Sequence, residues 1–359
     1  MHRREFLASS VTLLAAPMLN LGRCRLFGAS TVYSIRAIDL VTQTNVIDML
    51  GLLTLDWDLL ERWQCDSGGF TETDFEKLRD SGINVFHPSV AFETPRAYDV
   101  TRAWLAKWNQ FISAYPNYFV RVNNPSDLAL AKAEGKIGIV LGMQDANHLR
   151  ELSDVDAFYA MGQRVSQITY NSTNRLGSGC MATDDGLTDF GAEVITRMNR
   201  LGMAVDVSHS GERTTLDAIA ASTRPVLITH SNCKSLAPGV ARCKTDAAIQ
   251  AAARKGGVIG LTGVRHFVRA KDPVTIEHAL NHFDLAVKLA GIEHVGIGSD
   301  TDLHGRDTST PLRYDIAGLN HTRRVFELTE GFIRRGYTNQ QIGLLLGGNF
   351  QRVLNQIWT

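Results

Sequence analysis

Along most of the chain one phrase repeats: a short, nearly unbroken apolar run, a polar turn, then a stretch with apolar residues at helical spacing. The runs are Val46–Leu50, Ile83–Val90, Ile137–Gln144, Val165–Tyr170, Met203–His209, Pro225–His230, Gly257–Gly263 and His294–Asp300. A strand with one wet face alternates apolar with polar residues. These runs do not, so they predict parallel strands buried on both faces. Helices are predicted over Glu72–Ser81, Asp189–Leu201, Gly211–Ala221, Thr245–Lys255 and Thr275–Ala290. The last carries Ile276, Ala279, Leu280, Phe283, Ala286, Val287 and Ala290 on one stripe. Asp189 and Thr245 stand where N-caps belong, and Gly202, Gly256 and Gly291 stand where helices end. Two further helices, about Asp315–Arg335 and Asn339–Gln356, close the chain. Eight strands alternating with helices predict a (β/α)₈ TIM barrel. No glycine-rich nucleotide fingerprint follows the first run, which argues against an open doubly wound sheet.

The first residues differ in kind. Arg3-Arg4 precedes the apolar run Ala8 to Leu21, too short and too interrupted to span a bilayer comfortably. This pattern is similar to a twin-arginine export signal, so residues 1–30 are read as a signal and 31–359 as one barrel domain with C-terminal helices. Export by that route places the protein in the periplasm or outside the cell. The other reading of the segment is a buried N-terminal helix with two solvated arginines. Four cysteines, Cys65, Cys180, Cys233 and Cys243, follow the signal, too few for a disulfide framework in so long a chain. Cys233 and Cys243 share one predicted loop, where they either pair or remain two small buried thiols. Lys+Arg and Asp+Glu both number 37, so no net field favours nucleic acid or an anionic membrane.

In such barrels the chemistry gathers at the C-terminal ends of the strands. Those ends are Leu50, Gln144, Tyr170, His209, His230 and Asp300. Two imidazoles and a carboxylate at one mouth suit zinc. Either one metal is held by His209, His230, Asp300 and the Gln144 oxygen, or the same groups form a metal-free cluster in which Asp300 pairs with a histidinium. If Asp300 is not a ligand, it acts as a base or as an acceptor for loop amides. Tyr170 either donates to a developing oxyanion or packs at the rim. Arg242 either grips a carboxylate or is a solvated loop arginine. Asp145, His148 and His304 lie in mouth loops as substitute ligands, and Asp302 orients its loop. His266, His278, His282, His294 and His321 read as surface histidines.

Several segments resemble the membrane (renal-type) dipeptidases. Leu201-Gly-Met-Ala-Val-Asp-Val-Ser-His209 is similar to that family's fifth strand, and Arg224-Pro-Val-Leu-Ile-Thr-His-Ser-Asn232 to its sixth. Val295-Gly-Ile-Gly-Ser-Asp-Thr-Asp302 resembles the eighth, Gly135-Lys-Ile-Gly-Ile-Val-Leu-Gly142 the third, and Leu346-Gly-Gly-Asn-Phe-Gln-Arg-Val-Leu354 the closing helix. The order holds from about Val46 to Leu354. The resemblance implies a two-metal zinc dipeptidase with His209 and His230 on the second metal and Asp300 handling protons. It also implies that Arg242, in Ala241-Arg-Cys-Lys-Thr-Asp246, holds the carboxylate of a dipeptide.

The departures are specific. Where the family has a His-x-Asp pair after strand one, Val46-Ile-Asp-Met-Leu-Gly-Leu52 places Leu50 and Leu52. Residues two apart on a strand point the same way, so both would fill that half-site with hydrocarbon, where a bare dication is prohibitively costly. The bridging glutamate is replaced by Gln144, and the histidine after strand four by Tyr170. The expectation is therefore a hydrolase acting on a dipeptide or similar small amide through one remaining zinc. The competing expectation is a catalytically silent barrel that binds a small carboxylate or peptide.

Overall fold

Hydrogen bonds between the predicted apolar runs close a ring. The computed structural model describes residues 23–25, 32–269, 271–304, 315–316 and 318–358. The ring strands are β1 (Ile47–Asp48), β2 (Val85–Phe86), β3 (Ile137–Ile139, resumed at Gly142–Met143), β4 (Val165–Gln167) and β5 (Ala204–Asp206). They are followed by β6 (Ile228–Ser231), β7 (Ile259–Leu261) and β8 (Val295–Ile297). Every neighbouring pair is parallel, β5 reaches β6 through the Asp206–Leu227 bridge, and Ile297 of β8 returns to Asp48 of β1. This is a TIM barrel, and each predicted run supplies one of its strands. Phe119–Arg121, which no pattern announced, adds a strand outside the ring against β3.

One end of the barrel is plugged with hydrocarbon. Ile47, Val85, Val165, Ala204, Leu227 and Val258 form a buried cluster with Phe350, Val353, Leu354 and Ile357 of the closing helix Asn349–Ile357. A Cβ on Gly296 of β8 would lie 2.6 Å from the Phe350 ring, so the helix can seat only on glycine there. The opposite end, where the strands finish, is left for polar side chains.

The helices depart from the sequence reading in three places. The one expected over Asp315–Arg335 begins only at Arg324, and the left-handed φ of 89° at Gly318 keeps a helix from reaching back to Asp315. Thr188, not Asp189, caps the helix Asp189–Leu201, accepting the Gly191 amide at 3.0 Å. The closing stretch is broken into Asn339–Gly343, a wide turn over Leu344–Gly348, and Asn349–Ile357, with Gly347 out of helical geometry. Thr245 caps its helix as expected.

Cys233 and Cys243 are both free and buried, their thiols directed at the carbonyls of His282 and Phe267. The proposed export segment lies outside the described residues except Arg23–Arg25, which pair antiparallel with Val32–Ser34. Among the described residues no helix is long and apolar enough to cross a membrane.

Candidate active site

His209 and His230 follow β5 and end within β6, adjacent strands, and their rings meet. The two Nε2 atoms stand 3.0 Å apart. His209 is 5% exposed and His230 fully buried. Burial, reinforced by Arg242 and Lys244, holds both imidazoles far below ordinary histidine basicity, so both are neutral.

The other ring nitrogens identify the tautomers. His209 Nδ1 lies 2.9 Å from Asn171 Oδ1, an oxygen that only accepts, so Nδ1 carries the hydrogen. His230 Nδ1 lies 3.0 Å from Thr229 Oγ1, whose own hydrogen goes to Asp206 Oδ2 at 2.6 Å. Asp206 also accepts from Ser208 N and Oγ and from Thr229 N; burial raises its pKa and these bonds oppose the rise. The four donors to Asp206 favour its carboxylate form, and opposite that form Thr229 Oγ1 can only accept, so that His230 too is protonated at Nδ1. Two bare Nε2 lone pairs therefore face each other, an arrangement that calls for a cation.

Around this pair the mouth is mixed in charge. Tyr170 stacks on His209 with ring centroids 4.1 Å apart, and burial with the nearby Asp300 raises its pKa, so its hydroxyl stays protonated. Asp300 has a left-handed φ of 56°, with its amide held by Leu50 O at 2.8 Å. Burial pushes its carboxyl up to about 6, with Asp48 adding to the rise and Arg242 opposing it. Asp48 is itself locked by Ser299 and by a buried ion pair to Arg324 at 3.2 Å. Arg242, 4% exposed, donates from Nη1 to Ser208 O at 2.5 Å and from Nη2 to His230 O at 2.6 Å. Lys244 donates to Ser210 O and Thr215 Oγ1, and burial lowers its pKa to about 7. Glu93 reaches over the rim to accept the Ser172 amide at 3.0 Å.

Other anticipated residues stand apart from the pair. Gln144 donates its amide to Ser89 O at 2.8 Å. His148 is a core histidine bonded to Gln163 and set edge-on to Phe158; burial lowers its pKa to about 4. Asp145 accepts from Asn147 and Asn174, and His304 packs edge-on against Trp63. Asp302 accepts the Leu55 amide and so fastens its loop. His282, expected at the surface, is buried between the Cys233 amide and Val268 O, on the buried face of its helix. His266 is exposed, and His278, His294 and His321 are half-buried.

The sequence reading passed over His87. It is buried beside β3, its Nδ1 2.8 Å from Val140 O and its Nε2 without a partner among the described residues; burial lowers its pKa to about 4. It also missed Asn171, Thr229 and Asp206, which set the tautomers, and Lys244.

The two Nε2 atoms stand close enough to face one ion between them. Two nitrogens bound tetrahedrally at about 2.0–2.1 Å stand about 3.4 Å apart, so the pair needs to open by only a few tenths of an ångström. Each Nδ1–H is anchored as a ligand's second shell requires. Among the described residues no third His, Cys, Asp or Glu side chain joins the pair as it stands. Leu50 is 1% exposed, hydrocarbon where a second ion would need ligands, and the Gln144 amide has no charge to bridge two cations.

A TIM barrel with paired imidazoles at the C-terminal mouth defines the class of amidohydrolase-like, metal-dependent hydrolases. Residues 35–359 match the membrane dipeptidase family, peptidase family M19, and the chain belongs to it. An uncharacterized dipeptidase of Schizosaccharomyces pombe is 31% identical over 274 residues, 74% of this chain and 62% of that protein, so the match spans about six tenths of the relative's length. An amidohydrolase from Pseudomonas aeruginosa superposes with a TM-score of 0.78 at 25% identity, covering 90% of this chain and 99% of the other. A metallopeptidase from Rhodobacter sphaeroides, solved with a phosphinate mimic of the dipeptide L-Ala-D-Ala, gives 0.75 at 19% identity, covering 88% and 99%. The last likeness speaks to the fold alone.

Proposed function

We propose that this chain is an exported hydrolase of dipeptides or similarly small amides, working with a single divalent ion, zinc by the chemistry of its donors, on His209 and His230. The observation that carries the reading is the pair of bare Nε2 atoms, held by Asn171 on one side and by Thr229 and Asp206 on the other. When bound, the ion supplies Lewis-acid polarisation and a more acidic water.

The chain's own groups do the rest. Asp300, with its carboxyl poised near 6, takes a proton from water and returns it to the leaving amine. Tyr170, kept protonated, offers its hydroxyl to negative charge developing on the carbonyl oxygen. The stack of Tyr170 on His209 holds that donor beside the pair.

A second reading, a barrel that binds a peptide or small carboxylate without cleaving it, is favoured by buried Leu50 and by the lack of a third ligand in the described cluster. Metal analysis of the purified mature chain, run beside a dipeptide hydrolysis panel, separates the two. One equivalent of metal with turnover supports the hydrolase. Dipeptide binding without turnover, whatever the metal content, supports the silent barrel.

A further inference from the structure

The loop after β6 carries Arg242 and Lys244 two residues apart. Arg242 lies in a turn and Lys244 is bridged to Cys233, and both side chains run back to the segment around His209. They are 4% and 3% exposed, yet their hydrogen-bond partners are all neutral. A cation buried among neutral acceptors is costly unless its donors are filled, and charge-assisted bonds of this kind are roughly twice as strong as neutral ones.

The acceptors are not scattered. Arg242 holds the carbonyl of Ser208 and Lys244 that of Ser210, the residues on either side of His209. The second arm of Arg242 holds the carbonyl of His230 itself. We infer that Arg242 and Lys244 are positioning residues, a two-sided clamp of hydrogen-bond donors that fixes His209 from both sides and ties it to His230. A guanidinium fork spans two carbonyls on adjacent strands, whereas an ammonium at the same place reaches one. This departs from the role that family resemblance implies for Arg242, because each terminal nitrogen already serves the backbone, leaving only Nε without a partner among the described residues, and the group has almost no exposed surface. The inference rests on the reading of the histidine pair as the working centre.

The test uses full-length mature protein with Arg242→Met, Arg242→Lys and Lys244→Met. In the metal-free proteins, isotope-labelled histidine nitrogen spectra report the tautomer and surroundings of the His209 and His230 rings. In the metal-loaded proteins, kcat and KM are measured on alanyl-alanine and on its C-terminal amide. The clamp predicts that Arg242→Met and Lys244→Met move both ring signals. It also predicts that they lower kcat on both substrates by the same factor, on the order of 100-fold, as small misplacements of reacting groups do. Arg242→Lys recovers only part of the loss. Unmoved ring signals, with a loss confined to KM for alanyl-alanine and the amide spared, would overturn the clamp and restore a carboxylate grip. If Arg242→Met does not fold, the other two variants carry the same readouts. If wild type cleaves neither substrate, the proposed activity fails, while the ring signals still decide the clamp.

Discussion

Replacing Thr229 by valine removes one hydroxyl from the centre of the site and changes little else in shape. That hydroxyl is fully buried, gives its hydrogen to Asp206 at 2.6 Å and accepts from His230 Nδ1 at 3.0 Å. Without it Asp206 loses one of its four donors, at a cost of about 1.5–3 kcal/mol for a hydrogen bond to a charged group. The His230 ring loses what holds its proton on Nδ1. It then carries the proton on Nε2 and donates to His209 Nε2, so one of the two lone pairs disappears. Part of the stability loss is offset by that new bond, and a net loss of about 2 kcal/mol in urea unfolding is expected. Metal affinity should fall by about 10–100-fold, as when a ligand's outer partner is removed. The assay is a zinc titration against a competing chelator, with Thr229→Ser as a control that keeps the hydroxyl and stays near wild type. Zinc bound as tightly by Thr229→Val as by wild type would refute the tautomer argument.

A second metal should return only when Leu50→His, Leu52→Asp and Gln144→Glu are combined, since no single change completes a ligand set and Leu50→His alone puts a polar ring into hydrocarbon at about 1–3 kcal/mol; two zinc equivalents in Leu50→His alone would break the assignment of that half-site. Asp300 in the metal-free protein titrates near 6, above its unfolded value, so the folded state binds the extra proton and stability falls as pH rises from about 4 to 6. Asp300→Asn should then be more stable than wild type by about 1–3 kcal/mol at pH 7, with the gain fading below pH 4; unfolding curves across that range check the sign. Replacing Arg3 and Arg4 by lysine should leave a full-length precursor in the cytoplasm, and unchanged localisation on fractionation would count against the export reading.

The barrel was readable because parallel strands buried on both faces leave nearly continuous apolar runs, and each of the eight runs contributes to the ring. The polar residues at their ends were readable for the same reason: His209 and His230 interrupt hydrocarbon. His87 also interrupts a run, but its partner is the Val140 carbonyl of the next strand, which no local pattern reveals. His282 did leave a signal. It lies three residues after Ala279 and four before Ala286, on the buried stripe of its own helix. Asn171 and Thr229 are chain neighbours of site residues. That each holds a ring at Nδ1 depends on side-chain directions fixed only when β5 and β6 lie side by side. That the helix does not reach back to Asp315 turns on one left-handed glycine, Gly318, a backbone choice that composition permits without requiring.

The central claim is that His209 and His230 together hold one divalent ion. Zinc content per chain, measured by elemental analysis on the mature protein and on His209→Ala and His230→Ala after equilibration with a weak chelator, tests it directly. The account predicts one equivalent in wild type and a clear loss in both variants, each still folded because these side chains sit at the mouth and not in the hydrocarbon plug. No zinc in wild type even with excess metal, or one equivalent retained by both variants, would contradict it.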